Sequence, residues 1–196
     1  MQSTTTLLNN AIIRIDDFNK QDPNLEKWED KEYPKELLYS MRMTKCLRQF
    51  APDASDSLKI AVRAQHIGRW KIPRTKYEAD RKGYLLWRND LKEMHAHIAS
   101  EILEDVGYDQ LTIQNVTNLI QKKELKKNQE TQTLEDVICL VFLQYYLADF
   151  ADTKDEEKII EILRKTWRKM SAKGQEEALK ISLPDHVAHL VTQALQ

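Results

Sequence analysis

Residues 57–70, SLKIAVRAQHIGRW, decide the fold. Leu58, Ile60, Ala61, Val62, Ala64 and Ile67 recur at spacings that cover a broad face of a helix, not the alternating face of a strand. Ser55 or Asp56 is positioned to cap its first turn, because a short oxygen-bearing side chain can accept one of the orphaned N–H groups there. The same helical period extends in both directions. Upstream, Leu7, Leu8, Ile12, Ile15 and Phe18 predict a helix over residues 4–19. Asp22-Pro23-Asn24 predicts a turn, and Pro34 suits the first turn of a helix that carries Leu37, Leu38, Met41, Cys46 and Leu47 to about Phe50. Downstream, Gly68 and Pro73 interrupt the period, so residues 69–83 are expected to form a basic, aromatic loop. A helix resumes near Tyr84 or Leu85 and runs to about Val106, where Gly107 suits a left-handed exit. Residues 109–123 form a shorter helix, and the polar link KKELKKNQET follows. Thr133-Leu134-Glu135-Asp136 then opens the most apolar helix, VICLVFLQYYLADF, expected at the centre of the core. Helices are also expected over residues 155–170, 175–180 and 185–194. No repeat and no strand is evident. The expectation is an all-α fold, a single compact helical bundle over residues 1–196.

Composition narrows the function classes. A chain of 196 residues is about one domain's worth. Its four glycines, Gly68, Gly83, Gly107 and Gly174, stand alone, which rules out a phosphate loop of clustered glycines. No apolar run reaches the roughly 18 residues of a membrane span, and the first 20 residues lack the basic start and continuous apolar stretch of a secretion leader. Cys46 and Cys139 have no pairing or metal spacing, so reduced core thiols and a cytoplasmic location are expected, with no membrane partner.

The net charge is only −1, but it is unevenly laid out. Nine basic and three acidic residues lie between Arg63 and Lys92, whereas residues 16–36 hold eight carboxylates against four lysines. Five of the ten arginines, Arg63, Arg69, Arg74, Arg81 and Arg88, fall within 26 residues, interleaved with Trp70, Tyr77, Tyr84 and Trp87. Guanidinium groups fork onto phosphate oxygens, and aromatic faces can stack a base or pack beneath a loop. Such a focused basic field predicts a site for a phosphorylated small molecule, with RNA the weaker alternative partner. The expected substrate-binding set is Arg63, Arg69, Arg74, Arg81, Arg88, Trp70 and Trp87.

His66, His95 and the pair Glu135-Asp136 are the remaining chemistry-bearing residues. Imidazole and carboxylate at helix ends facing one core can hold a divalent ion. A single histidine on an apolar helix is more often a hydrogen-bonded core residue, and no HExxH-like or CxxC-like spacing reinforces the metal reading. His95 and His97 lie about 200° apart on a helix and cannot share an ion. His186 and His189 read as a surface pair.

The run LLYSMRMTKCLRQFAPDASDSLKIAVRAQHIGR, then HAHIASEIL and LEDVICLVFL, resembles the HD superfamily of metal-dependent phosphohydrolases over residues 36–146. That resemblance implies an HD-like core, a divalent metal ion held by His66, His95 and Asp136, and Glu135 as the catalytic general base or a fourth ligand. Tyr39 stands where the family has its first histidine, and Gln65-His66 stand in place of its His-Asp pair. A second resemblance covers nearly the whole chain. RAQHIGRWKIPR, GYLLWR, LEDVICLVFLQYY and KTWRKMS are similar to domain-of-unknown-function family forty-two-oh-two, loosely labelled glutamyl-tRNA synthetase-like. That family implies no reaction, and no nucleotide-binding α/β pattern supports the synthetase label. Two expectations follow: an HD-like hydrolase of a nucleotide-like phosphorylated molecule, or a non-catalytic phosphate, nucleotide or RNA binder built on a degenerate metal site. An oligomer-forming interaction protein is the third.

Overall fold

The computed structural model describes residues 4–196, with side chains from residue 6 onward. Ten α-helices and one short hairpin make up the described chain, which gives the expected all-α fold. It divides into two compact units, Met1–Lys123 and Glu124–Gln196. The 36–146 span of the HD resemblance crosses the boundary between them.

In the first unit α1 covers Thr4–Asn19, α2 Lys35–Phe50, α3 Asp56–Ala64, α4 Arg81–Val106 and α5 Gln110–Ile120. Local chemistry sets most of these limits. Ser55 accepts the Leu58 N–H at 3.1 Å, Asp80 that of Gly83 at 2.6 Å and Asp109 that of Thr112 at 3.0 Å, each taking up an N–H that the first helical turn leaves unpaired. Gly107 closes α4 in the left-handed region at φ 96°, where a side chain would be strained. α3 ends at Ala64, three residues short of the last apolar residue of its period, and two 3₁₀ turns, Arg69–Lys71 and Arg74–Lys76, carry the chain to Asp80. The stretch between the two helices therefore covers residues 65–80, displaced toward the N-terminus from the expected 69–83, because α3 stops at Ala64 and Asp80 starts α4 at Arg81 and not near Tyr84. The core of this unit is Ala11, Ile15, Leu38, Met43, Ile60, Val62, Ile67, Leu91, Leu103 and Ile120, all essentially sealed from solvent.

One element runs against the sequence reading. β1, Leu25–Trp28, pairs antiparallel with β2, Lys31–Pro34, through a two-residue turn at Glu29 and Asp30. Glu29 adopts φ 54°, a region that asparagine or glycine usually marks, so the turn carries no sequence signal. The hairpin is held to α2: Arg42 forms an ion pair with Glu26, and its guanidinium lies 6.0 Å from the centre of the Trp28 ring.

In the second unit α6 covers Gln129–Tyr145, α7 Leu147–Ala151, α8 Glu156–Lys169, α9 Ala172–Ala178 and α10 Asp185–Leu195. The apolar run expected as one helix opening at Thr133 is divided: Asn128 accepts the Thr131 N–H and starts α6 at Gln129, the helix ends at Tyr145, and the last residues of the run fall in α7; Leu134, Val137 and Val141 of α6 are fully enclosed. No helix among the described residues is long and apolar enough to cross a membrane. Cys46 and Cys139 are buried thiols, one in each unit.

Candidate functional site

The acidic segment and the basic segment meet inside the first unit, and their pairing builds the site. Asp16 on α1 takes a two-pronged contact from Arg63, Nε to Oδ1 at 2.6 Å and Nη2 to Oδ2 at 2.7 Å. Arg63 also donates from Nη1 to the Ser40 carbonyl and to the Thr44 hydroxyl. Asp22 is buried and accepts the Glu36 N–H at 3.0 Å, closing the first turn of α2 from outside the helix. That contact fixes Glu36 at the mouth of α2.

Glu36 is the residue that the sequence reading did not single out. Its side chain is 7% exposed and lies between two site residues: Oε2 is 3.3 Å from His66 Nδ1 and Oε1 is 3.8 Å from Arg69 Nε. Tyr39, one turn further along α2, stacks on the His66 ring with centroids 4.1 Å apart and planes 12° apart. Its stacking keeps the imidazole in place, so Tyr39 acts as a platform for His66. The His66 and His95 rings are 5.9 Å apart. His95 is 2% exposed, and its Nδ1 lies 2.6 Å from the Ile67 carbonyl oxygen. A carbonyl only accepts, so Nδ1 carries the proton and donates, and in the neutral ring Nε2 is left as an acceptor.

The electrostatics of this cluster are set by burial first. Removal from water pushes Glu36 up from near 4.5 to about 7, against the pull of Arg69 and helped by Asp22. Burial also drives His66 well below its ordinary value, with Arg69, His95, Arg88 and Lys122 adding to the fall. His95 drops to about 3 through burial and the same two arginines, despite its bond to Ile67. Burial lowers Arg69 as well. At neutral pH both imidazoles are uncharged, Glu36 is close to half-protonated, and Arg69, Arg88 and Lys122 supply a positive field.

Around this cluster, Arg69 lies over the Trp87 ring at 4.7 Å, and Trp87 Nε1 donates to the Ile72 carbonyl at 2.8 Å. Trp70 packs at 5.9 Å against Phe18 of α1 and so serves the fold. Arg81 is exposed at the start of α4. Two arginines of the expected binding set have their guanidinium groups engaged within the fold. Arg63 is committed to Asp16, Ser40 and Thr44, and Arg74 donates to the carbonyls of Tyr77, Glu78 and Asp80, tying the loop to itself. Sequence position could not separate them from Arg69 and Arg88, since all four are basic residues in one short run.

His66 and His95 belong to the first unit, Glu135 and Asp136 to the second. The Asp136 carboxylate accepts the Ser171 N–H at 2.8 Å, the Ser171 hydroxyl at 2.6 Å and Gln132 Nε2 at 3.1 Å, and so builds the start of α9. Glu135 is buried, with Lys169 Nζ 3.8 Å away. Among the described residues no group of three or more His, Cys, Asp or Glu side chains is arranged to hold a metal ion. The second unit also carries a partly open apolar pocket of about 180 Å³ lined by Leu163, Trp167, Met170, Val191 and Leu195 among others, with no ionisable side chain on its wall.

The first unit of this helical protein thus brings together a buried carboxylate, Glu36, and two neutral imidazoles, His66 and His95, in the positive field of Arg69, Arg88 and Lys122. The chain belongs to the family described as Domain of unknown function (DUF4202), whose model matches residues 9–191. No curated protein and no solved structure matches it.

Proposed function

We propose that the first unit binds a phosphorylated small molecule at Arg69, Arg88 and Lys122, above the cluster of Glu36, His66 and His95. The observation that carries this reading is the charge balance of the cluster. Arg69 and Arg88, with Lys122 adding less, act on His66 as positive charges, while the carboxylate 3.3 Å from it, Glu36, is itself held near half-protonation by burial. A phosphate dianion would offset that field and accept from the guanidinium groups. Glu36 and His66, 3.3 Å apart, would exchange a proton with it as its charge changes. The Trp87 ring, already paired with Arg69, offers an aromatic face for a nucleotide-like organic part.

An HD-like hydrolase using a divalent ion at His66, His95 and Asp136, with Glu135 as base, is the less well supported form of the same idea. The donor set fits such an ion poorly. The two imidazoles lie in a positive field that repels a cation, and both Asp136 oxygens accept hydrogen bonds from Ser171.

The test is a melting experiment with a panel of nucleotides and sugar phosphates, run with a chelator and then with added Mg²⁺ or Mn²⁺. A ligand at about 100 times its Kd stabilises the native state by about 2.7 kcal/mol, a shift of several degrees. The shift is expected with the chelator present and should vanish when Arg69 and Arg88 are both replaced by Met. A shift that needs metal would refute the reading in favour of the hydrolase, and one that survives the double replacement would refute the site. A response that collapses steeply with salt and extends to RNA would point to a nucleic-acid surface.

A further inference from the structure

We infer that the ligand of this site carries a hydroxyl group beside its phosphate, and that His95 Nε2 recognises it. The inference rests on the phosphate reading above and narrows its substrate class to phosphorylated polyols and sugars.

Two buried acceptors of the first unit, His95 Nε2 and Gln65 Oε1, are unmatched. His95 is 2% exposed, and its Nδ1–H is committed to the Ile67 carbonyl at 2.6 Å. That bond fixes the tautomer, so Nε2 on the other edge of the ring presents a lone pair, and it has no hydrogen-bond partner within the protein. A buried acceptor left unpaired costs about as much as a lost hydrogen bond, and native structures keep few of them. Gln65 stands one residue before His66 in the same run. It is 3% exposed, and its Oε1 is a second buried acceptor without a partner. The groups facing His95 do not meet the need. His66 lies 5.9 Å away ring to ring, and Arg69 and Arg88 act on His95 as charges without bonding to it.

A ligand that offered only phosphate oxygens would satisfy the cations and leave His95 Nε2 unmatched. A ligand with an O–H near its phosphate would satisfy both, the hydroxyl donating to Nε2 while the phosphate accepts from the guanidinium groups. Sites built around a hydroxyl discriminate sharply against analogues that lack it, because the buried partner is then stranded.

Titration calorimetry on the full chain at pH 7.5, with chelator, would compare glycerol 3-phosphate and ribose 5-phosphate with propyl phosphate, which has the same charged group and no hydroxyl. The hydroxylated esters are expected to bind about 10- to 100-fold more tightly, the range for one hydrogen bond to a buried group. Folded H95F, checked by circular dichroism, should bring the three esters within about threefold of one another. Because the comparison among ligands is made on the unaltered protein, it stands even if the variant does not fold. Equal binding of all three esters by the natural sequence overturns this inference and leaves the phosphate site intact. Binding of none overturns the phosphate reading and this inference together. Discrimination that persists in folded H95F would assign the hydroxyl to another residue and overturn the role of His95.

Discussion

Replacing Glu36 by Gln gives the sharpest test of the buried cluster. The carboxyl group sits near 4.5 in an unfolded chain and at about 7 in the fold, chiefly because burial opposes its charge. Between those values the native state binds more protons than the unfolded state, so this group makes stability fall as pH rises. Its penalty is absent below about pH 4.5 and complete above about pH 7. A gap of roughly two and a half pH units at about 1.4 kcal/mol each gives a full penalty of about 3.5 kcal/mol, of which about 3 kcal/mol develops between pH 4.5 and pH 8. Little solvent screening reduces it, since the side chain is almost sealed. Gln keeps the volume and cannot ionise. The stability of E36Q relative to the natural protein should therefore rise by about 3 kcal/mol between pH 4.5 and pH 8. His66 and His95 pull the other way over part of this range. Their lowered values favour the unfolded state below about pH 6.5, so the difference between the two proteins, not either profile alone, is the readout. Asp22, Glu26, Lys35 and Arg69 also act on Glu36 and remain in both proteins. Urea unfolding followed by tryptophan fluorescence in a W167F background, where only Trp28, Trp70 and Trp87 emit, reports on the first unit. A difference that stays flat with pH, or an E36Q protein that is the less stable at pH 8, would show that Glu36 is charged and paired in the fold, and the assigned electrostatics would fail.

Three further outcomes are expected. Arg63→Leu should cost about 3 kcal/mol, because it strands Asp16 and removes the link between α1, α2 and α3, yet it should leave the phosphate-induced melting shift unchanged; a lost shift at unaltered stability would return Arg63 to the binding set. Asp136→Asn should lower stability by about 1–3 kcal/mol through the start of α9, with no change in the metal content of purified protein; metal lost with the substitution would support the ion-dependent reading. Arg74→Ala should raise hydrogen exchange across residues 77–80, whose carbonyls it holds, with ligand affinity preserved; unaltered exchange there would show that the loop is held by other contacts.

Helix limits were legible where one residue settles them. Ser55, Asp109 and Gly107 act through bonds or backbone angles within four residues, so the sequence carries the full signal. The hairpin at Leu25–Trp28 and Lys31–Pro34 escaped because its turn uses Glu29 at a positive φ, and because its charged strands depend on Arg42 from another element. The division into two units was not legible either, since nothing in KKELKKNQET distinguishes a linker from a helix connection. At the site, His66, His95, Arg69 and Arg88 stood out by residue type and by the excess of positive charge. Glu36 did not. A charged residue opening a helix is commonplace, and its burial depends on Asp22, His66 and Arg69 arriving from elsewhere. The available hint was its place on the stripe shared by Ser40, Met43 and Leu47, where a carboxylate is out of keeping. Arg63 and Arg74 show the reverse difficulty, since a basic residue that holds the frame looks the same in one dimension as one that waits for an anion.

In the run AQHIGR, Ala64 and Ile67 are completely enclosed, while His66 and Arg69 beside them turn toward Glu36. Gly68, at φ 68° with Ile98 and Phe18 packed where a Cβ would stand, leaves that short run no slack. Recognition and interior packing thus share one piece of backbone. Specificity should therefore be hard to broaden by single replacements in this run, since each would disturb the packing as well as the cluster. On heating, the capacity to bind should disappear together with the cooperative melting of the first unit, and not before it.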